Sequence, residues 1–408
     1  MRQTVPARQL RHYLECIFVF CLLAGPVVNG ATRANVDKIR SSSTLTDDDL
    51  KTLDEFVRQQ FQSLVLAKDI TETTKVAKDL VDCTHSKSNV TPTQKSYSDR
   101  YSRAVKGISL TTFQQAQQKR QSQDPLQQKI GRHIALSTVI ILAMCDNLIV
   151  ADDLVRMLDD PSDELRYWAA KGLAGRNLQS ALVAGTDNIK LIKPILQGLN
   201  RCLGNTNSED VISQIALAAD LLDDRASVTI LEQCLNKRID HYQRWQVTHE
   251  SADITLLLQV LTVAAHDNIY REEAARKKLL QKATDLFTLA YQRYIKGSRF
   301  RNGNTPLNLL QEQNQQALET LFIEVERKIQ NLAASRGGIQ ISGPRFAAAI
   351  KSGKDSILDT AWQALIGKGG ITDNAWEIVS TIKLSDPPKE VIDRARTLRD
   401  IKKNLIGG

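Results

Sequence analysis

The chain predicts an all-α protein, and three observations carry that reading. Apolar residues recur at spacings of three and four along most of its length, the period of helices with one buried face. Alternating apolar–polar runs of strand type are scarce, and only 5% of residues are aromatic. The 10 prolines and 20 glycines fall mostly between the periodic segments, where they end helices. With 42% hydrophobic and 25% charged residues among 408, the composition excludes a disordered chain.

Residues 1–30 are a different kind of sequence. Arg2, Arg8 and Arg11 precede a compact apolar run over 16–24, Gly25-Pro26 breaks it, and Val28-Asn29-Gly30 offers small residues before Ala31. That is the layout of a secretory signal peptide. The run is shorter than the roughly 20 apolar residues of a membrane span. Removing this leader lowers the formal charge from +8 to about +6, a mild basicity that permits contact with an acidic polymer or a membrane surface without demanding it. The expectation is an exported protein of the periplasm, cell envelope or extracellular space, which disfavours nucleic acid as a partner. Cys83, Cys145, Cys202 and Cys234 remain in the mature chain. An oxidising compartment allows them up to two disulfides, with the pairing open. Cys145 reads better as a small core residue.

Residues 31–123 form an N-terminal helical region. A polar lead-in over 31–44 precedes a helix over 47–67, capped by Thr46, with Leu50, Leu53, Phe56 or Val57, Phe61 and Leu64 inward. A shorter helix over 72–81 follows. Residues 84–98 read as a polar loop, where Asn89-Val90-Thr91 has the form of a glycosylation acceptor with Pro92 directly after it. A glutamine-rich helix spans 99–123. Asp124-Pro125 then starts a new helix, Asp as cap and Pro at the first helical position.

Residues 150–175 (VADDLVRMLDDPSDELRYWAAKGLAG) give the clearest pattern. Leu154, Val155 and Leu158 face inward from a short helix, and Asp159-Asp160-Pro161 forms a tight turn. A second helix follows, with Ser162 as its cap, Asp163 and Glu164 in its first turn, and Leu165, Trp168, Ala169, Gly172 and Leu173 on one stripe. The unit resembles a HEAT repeat: a hydrophobic first helix, an Asp-Pro turn, and a second helix opening with Leu165-Arg166 and small residues. The resemblance implies an α-solenoid, because such a hairpin needs neighbours to bury its face.

Second-helix starts at Asp124, Ser162, Ser208 and Thr248 are separated by 38, 46 and 40 residues. HEAT-like units repeat at roughly 40–47 residues, so residues 124–265 read as divergent repeats. The Ser208 helix buries Val211, Ile212, Ile215, Ala216, Ala219 and Leu222. The Thr248 helix buries Ile254, Leu257, Leu258, Leu261 and Ala265. First helices fit between them over 189–203 and 226–242. A long helical hairpin occupies 266–334: one helix over 271–295, and a second capped by Thr305-Pro306 and running to about residue 334. Residues 335–344 are a linker, and residues 335–408 as a whole hold it and a small helical region of three or four short helices.

Candidate chemistry is sparse. His249, Glu250 and Asp253 form an HExxD series that places His249 and Asp253 one helical turn apart. Asp stands where a second metal-binding His belongs, so the three are weak metal candidates, and first-turn acids have a dipole reason to be there. Arg293, Lys296, Arg299 and Arg301 interleave with Tyr294 and Phe300, the pattern of an anion-binding patch. GxxxxGK[ST], GxGxxG and GxSxG are all missing, and no cofactor or catalytic residue is assigned. The expectation is a non-enzymatic exported scaffold that binds a protein partner on the concave surface stacked hairpins create. Two alternatives stand beside it. One is an all-α enzyme acting on polysaccharide, with two facing acids flanked by tryptophans from Trp168, Trp245, Trp362 and Trp376. The other is an electrostatic binder of acidic cell-wall polymer or membrane surface.

Overall fold

The computed structural model describes residues 31–84, 92–185, 189–220, 225–265, 273–298, 300–302, 305–335 and 345–406. Residues 1–30, the Asn89 site, Leu222, Arg299 and nearly all of the 335–344 linker lie outside them. The described chain is helical, apart from one ladder in which Arg301–Asn302 pairs antiparallel with Thr305–Pro306. It forms two compact units, one up to Ile134 and one from Ala135.

In the first unit, α1 (Arg33–Ser41), α2 (Asp47–Leu66), α3 (Ile70–Thr84) and α4 (Pro92–Arg120) are followed by the start of α5 (Pro125–Cys145). α2 packs against α1, α3 and α4. Its core face carries Leu53, Phe56, Val57, Phe61 and Leu64, and a Thr46–Asp49 capping box fixes its start. Leu50 is only half-buried.

Two expectations are corrected here. Residues 31–44 are not a simple lead-in: α1 buries Val36 and Ile39, while Arg33 pairs with Asp79 at 2.9 Å and Arg40 donates to the Asp82 carbonyl at 2.7 Å. Nor does the polar loop reach Ser98, because α4 starts at Pro92. Tyr97 and Tyr101 turn its first turns inward, their hydroxyls donating to the carbonyls of Cys83 and Leu80 at 3.0 and 2.7 Å. A polar composition hid two aromatics at helical spacing.

The second unit continues α5 and adds α6 (Ala151–Met157), α7 (Asp163–Leu173), α8 (Arg176–Ala184), α9 (Ile189–Asn205), α10 (Glu209–Asp220), α11 (Arg225–Gln243), α12 (Ser251–Ala265), α13 (Glu273–Ser298) and α14 (Glu312–Ser335). Alternate helices pack on one another in sequence order. α6, α9, α11 and α13 make one row, and α7, α10, α12 and α14 make the other. Each row is bound to the other by successive pairs such as α6 with α7, α10 with α11 and α12 with α13. Helices of each row thereby cover one another's apolar faces.

Helix starts and inward faces depart from expectation in places. Ser162 precedes α7 as its cap residue but makes no side-chain cap bond; its amide donates to Asp160 Oδ1 at 2.9 Å. Trp168 is half-buried on the edge of the stripe, its ring 4.4 Å from Lys171 Nζ and edge-on to Tyr167. Small Ala169 and Gly172 take the closest approach instead. α12 starts at Ser251, not Thr248, and the shift turns Asp253, Leu256, Leu257, Val260 and Leu261 inward while Ile254 and Leu258 sit at the boundary. Thr305-Pro306 belongs to the short ladder, and α14 begins at Glu312. The short α8 carries no strong sequence signal; Asp146, at φ 43, accepts from the Asn177 and Leu178 amides at 3.1 Å and caps it from 31 residues away.

Beyond α14 come α15 (Phe346–Ser352), α16 (Asp355–Ile366) and α17 (Ile371–Trp376), which pack on one another and on α13 and α14. Phe287, Tyr291, Phe322 and Phe346 form the aromatic centre of this end, with ring centroids 5.3–6.3 Å apart. Glu377 takes φ 55, the left-handed turn that ends a helix, and a non-helical stretch over 378–388 follows. α18 (Lys389–Ile406) follows, with Leu398 and Ile401 exposed.

Glycine marks a close helix contact at α7. A Cβ on Gly172 would lie 2.7 Å from Ala143 Cα, whereas one on Gly204 in α9 would meet nothing within 4 Å. Gly172→Ala therefore overpacks the α5–α7 contact and destabilises by about 1–3 kcal/mol in spite of its better helix propensity. Gly204→Ala gains up to about 1 kcal/mol from that same propensity. Urea denaturation of the two variants checks the opposite signs.

Candidate functional site

The sequence candidates converge on the loop between α11 and α12, residues 244–250, and on the helices around it. Arg238 of α11 lies on the apolar stripe of that helix with Leu231, Leu235 and Tyr242, and is 1% exposed. Its guanidinium holds Asp253 of α12 through two bonds of 2.6 and 2.8 Å and Glu209 of α10 at 2.8 Å. Tyr242 donates its hydroxyl to Asp253 at 2.9 Å. Glu209 also accepts from the Thr248 amide and hydroxyl at 2.9 and 3.2 Å. One arginine thus ties three consecutive helices to the loop between two of them.

A second pair lies beside the first. Arg293 of α13, 5% exposed, donates to Glu250 at 3.1 Å and to the Val247 carbonyl at 2.8 Å. Its guanidinium carbon stands 5.2 Å from the Trp245 ring centre. Trp245 sits at φ 57 and spends its indole N–H on the Ser385 carbonyl at 3.0 Å. Asn314 of α14 donates to the Thr248 carbonyl at 3.2 Å.

The electrostatics follow from this burial. Desolvation opposes the Arg238 charge, but Asp253 and then Glu209 overcome it, and its pKa is raised. Burial works to raise the Glu209 carboxyl; Arg238 and Thr248 outweigh it, so the net shift is downward. Burial pushes the Glu250 carboxyl up, with Arg293 pulling it back only in part. Glu250 Oε2 has no hydrogen-bond partner. Burial, with Arg238 beside it, lowers the His241 pKa and keeps that imidazole neutral near pH 7.

The three metal candidates do not share a site. His249 is exposed and faces Asp210 at 2.8 Å, Glu250 belongs to Arg293, and Asp253 to Arg238. Among the described residues no group of three or more His, Cys, Asp or Glu is placed to hold a metal ion. The cationic candidates part in the same way. Arg293 is inside, so it presents no charge to a surface anion; it reads as basic from sequence because its partner lies 43 residues back. Lys296 is half-buried and bonds Asp386 at 3.0 Å and the Leu384 carbonyl at 2.9 Å. Arg301 is exposed, and Arg299 lies outside the described residues. Trp362 stacks on Tyr291 with ring centres 5.7 Å apart.

Cys83, Cys145, Cys202 and Cys234 are buried, and no disulfide joins them. Burial raises the Cys83 thiol to about 11 and the Cys202 thiol to about 12, far from thiolate chemistry at neutral pH.

Sequence reasoning missed Arg238, Glu209 and Tyr242. A signal was present, since a cation between Leu235 and Tyr242 on an inward stripe demands a buried counter-charge. Comparison with protein-family models, with curated proteins and with solved structures finds no match.

The depressed Glu209 value gives a pH prediction. A carboxyl whose folded pKa lies below its ordinary 4.5 contributes stability that is present above that pH and lost as pH falls through the folded value. Wild type therefore loses stability below about pH 4.5 more steeply than Glu209→Gln. Urea midpoints measured from pH 3 to 7 read the difference.

Proposed function

We propose that this chain is an exported, non-enzymatic interaction scaffold built from divergent HEAT-like helical hairpins. The observation that carries the reading is the packing of helices in two rows, α6, α9, α11 and α13 in one and α7, α10, α12 and α14 in the other. Proteins of that construction offer long, regular faces rather than enclosed pockets, and use them to hold other proteins. The polar residues that look chemical in the sequence support the same reading. Glu209, Arg238, Glu250, Asp253 and Arg293 are taken up in cross-linking neighbouring helices. The leader-like residues 1–30 support export to the envelope or beyond, and no described helix is long and apolar enough to cross a membrane.

Affinity capture from an envelope extract with the chain from Ala31 onward tests the reading. A discrete protein partner retained at about 0.5 M salt, where the Debye length falls below about 5 Å, is the expected result. Capture of polysaccharide or lipid alone, released by that salt, would replace the scaffold by the electrostatic binder.

A further inference from the structure

Residues 378–388 form neither helix nor paired strand, run along α13, and have much of their backbone satisfied by side chains. Gln292 donates to the Ile382 carbonyl at 2.9 Å and accepts from the Leu384 amide at 2.5 Å. Lys296 takes the Leu384 carbonyl at 2.9 Å, Gln243 the Lys383 carbonyl at 2.9 Å and Trp245 the Ser385 carbonyl at 3.0 Å. Gln281 reaches the Val379 carbonyl at 3.4 Å, and Asp285 accepts from the Ser380 hydroxyl at 2.7 Å. Gln281, Asp285, Gln292 and Lys296 stand at steps of four, seven and four, a single face of α13.

The segment follows the two-residue period. Ile378, Ser380 and Leu384 are buried and Ile382 half-buried, while Glu377, Thr381, Lys383 and Ser385 are exposed. Its acidic ends are clamped, Glu377 by Lys277 at 2.9 Å and Asp386 by Lys296 at 3.0 Å. The lengths agree: the two lysines are separated by about 28 Å of helical rise, and the two acids by about 30 Å of extended chain. Contacts to backbone groups are indifferent to side-chain identity, and alternate pockets supply the selection.

We propose that this face of α13, together with the end of α11, is a docking groove for an extended partner peptide, and that residues 377–386 occupy it in cis. The inference rests on the scaffold reading and names its surface. The ligand it takes is an extended segment with aliphatic or small residues at alternate positions and acidic residues nine apart. The tethered segment acts at an effective concentration of about millimolar, so a free peptide at micromolar concentration hardly competes. If the segment is seated in about 99% of molecules, the apparent affinity falls about 100-fold.

The test uses a fluorescent peptide of sequence EIVSTIKLSDPP, which is residues 377–388, and fluorescence anisotropy with the full mature chain. Leu384→Asp unseats the segment by placing a charge in its pocket; Leu384→Ser does so more gently if the first variant fails to fold. The expected result is peptide binding at least about tenfold tighter to the released variant than to wild type, abolished when Gln292→Ala is added. A folded released variant that ignores the peptide overturns the proposal, as does binding that is equal in wild type or indifferent to Gln292→Ala. A partner captured by wild type and retained by the Gln292→Ala variant leaves the scaffold reading standing and removes this groove from it.

Discussion

The second unit depends on acidic side chains at the starts of α7 and α10, which reach into the loop before the next second-row helix. Asp163 at the start of α7 accepts from Thr206 at 2.7 Å, just ahead of α10. Glu209 and Asp210 at the start of α10 meet Thr248 and His249, just ahead of α12. Arg166 repeats the tie from the cationic side by donating to the Asn205 carbonyl at 2.9 Å. Apolar stripes alone let neighbouring helices slide by a turn at modest cost, whereas a desolvated carboxylate tolerates one position of its donor. Arg238 is the extreme case. Unpaired, it would strand a charge in the interior, so the helices carrying Glu209 and Asp253 are held to it.

Much of the helical content is visible locally because the inward stripes of α2, α7, α10 and α13 are nearly continuous. First-turn acids mark several starts for the same reason. What stays hidden is set by distance. Asp146 caps α8 from another turn, Arg293 finds Glu250 through packing, and the 378–388 segment has no partner strand to announce it. Thr248 reads as a helix start because it is a good cap by type, yet its amide and hydroxyl are committed to Glu209 and the helix begins at Ser251. Trp168 reads as core by spacing, but the closest contact of α7 goes to Gly172, whose lack of a side chain lets α5 approach. Glu250, Asp253 and Arg293 of the candidate site were legible as residues but their partners were not: the carboxylates that weakly suggest a metal are the counter-charges of two arginines.

These constraints bear on function in a consistent way. Charged groups taken up between the helices of the second unit hold those helices to one another. Among the described residues, Gln281, Gln292 and Lys296 of α13 form a row directed at the backbone of the chain's own 379–384 segment. The terminal α18, with Leu398 and Ile401 exposed, follows shortly after that segment.

The double-mutant cycle of Arg238→Met and Asp253→Leu, read by urea denaturation at pH 7, tests the central claim most directly. If the buried pair sets the register of consecutive helices, each single change costs about 3–5 kcal/mol and the double change costs about 2–3 kcal/mol less than the sum of the two. Losses that add to within about 0.5 kcal/mol would mean the two side chains do not act on each other, and the account of how this array is held would fail.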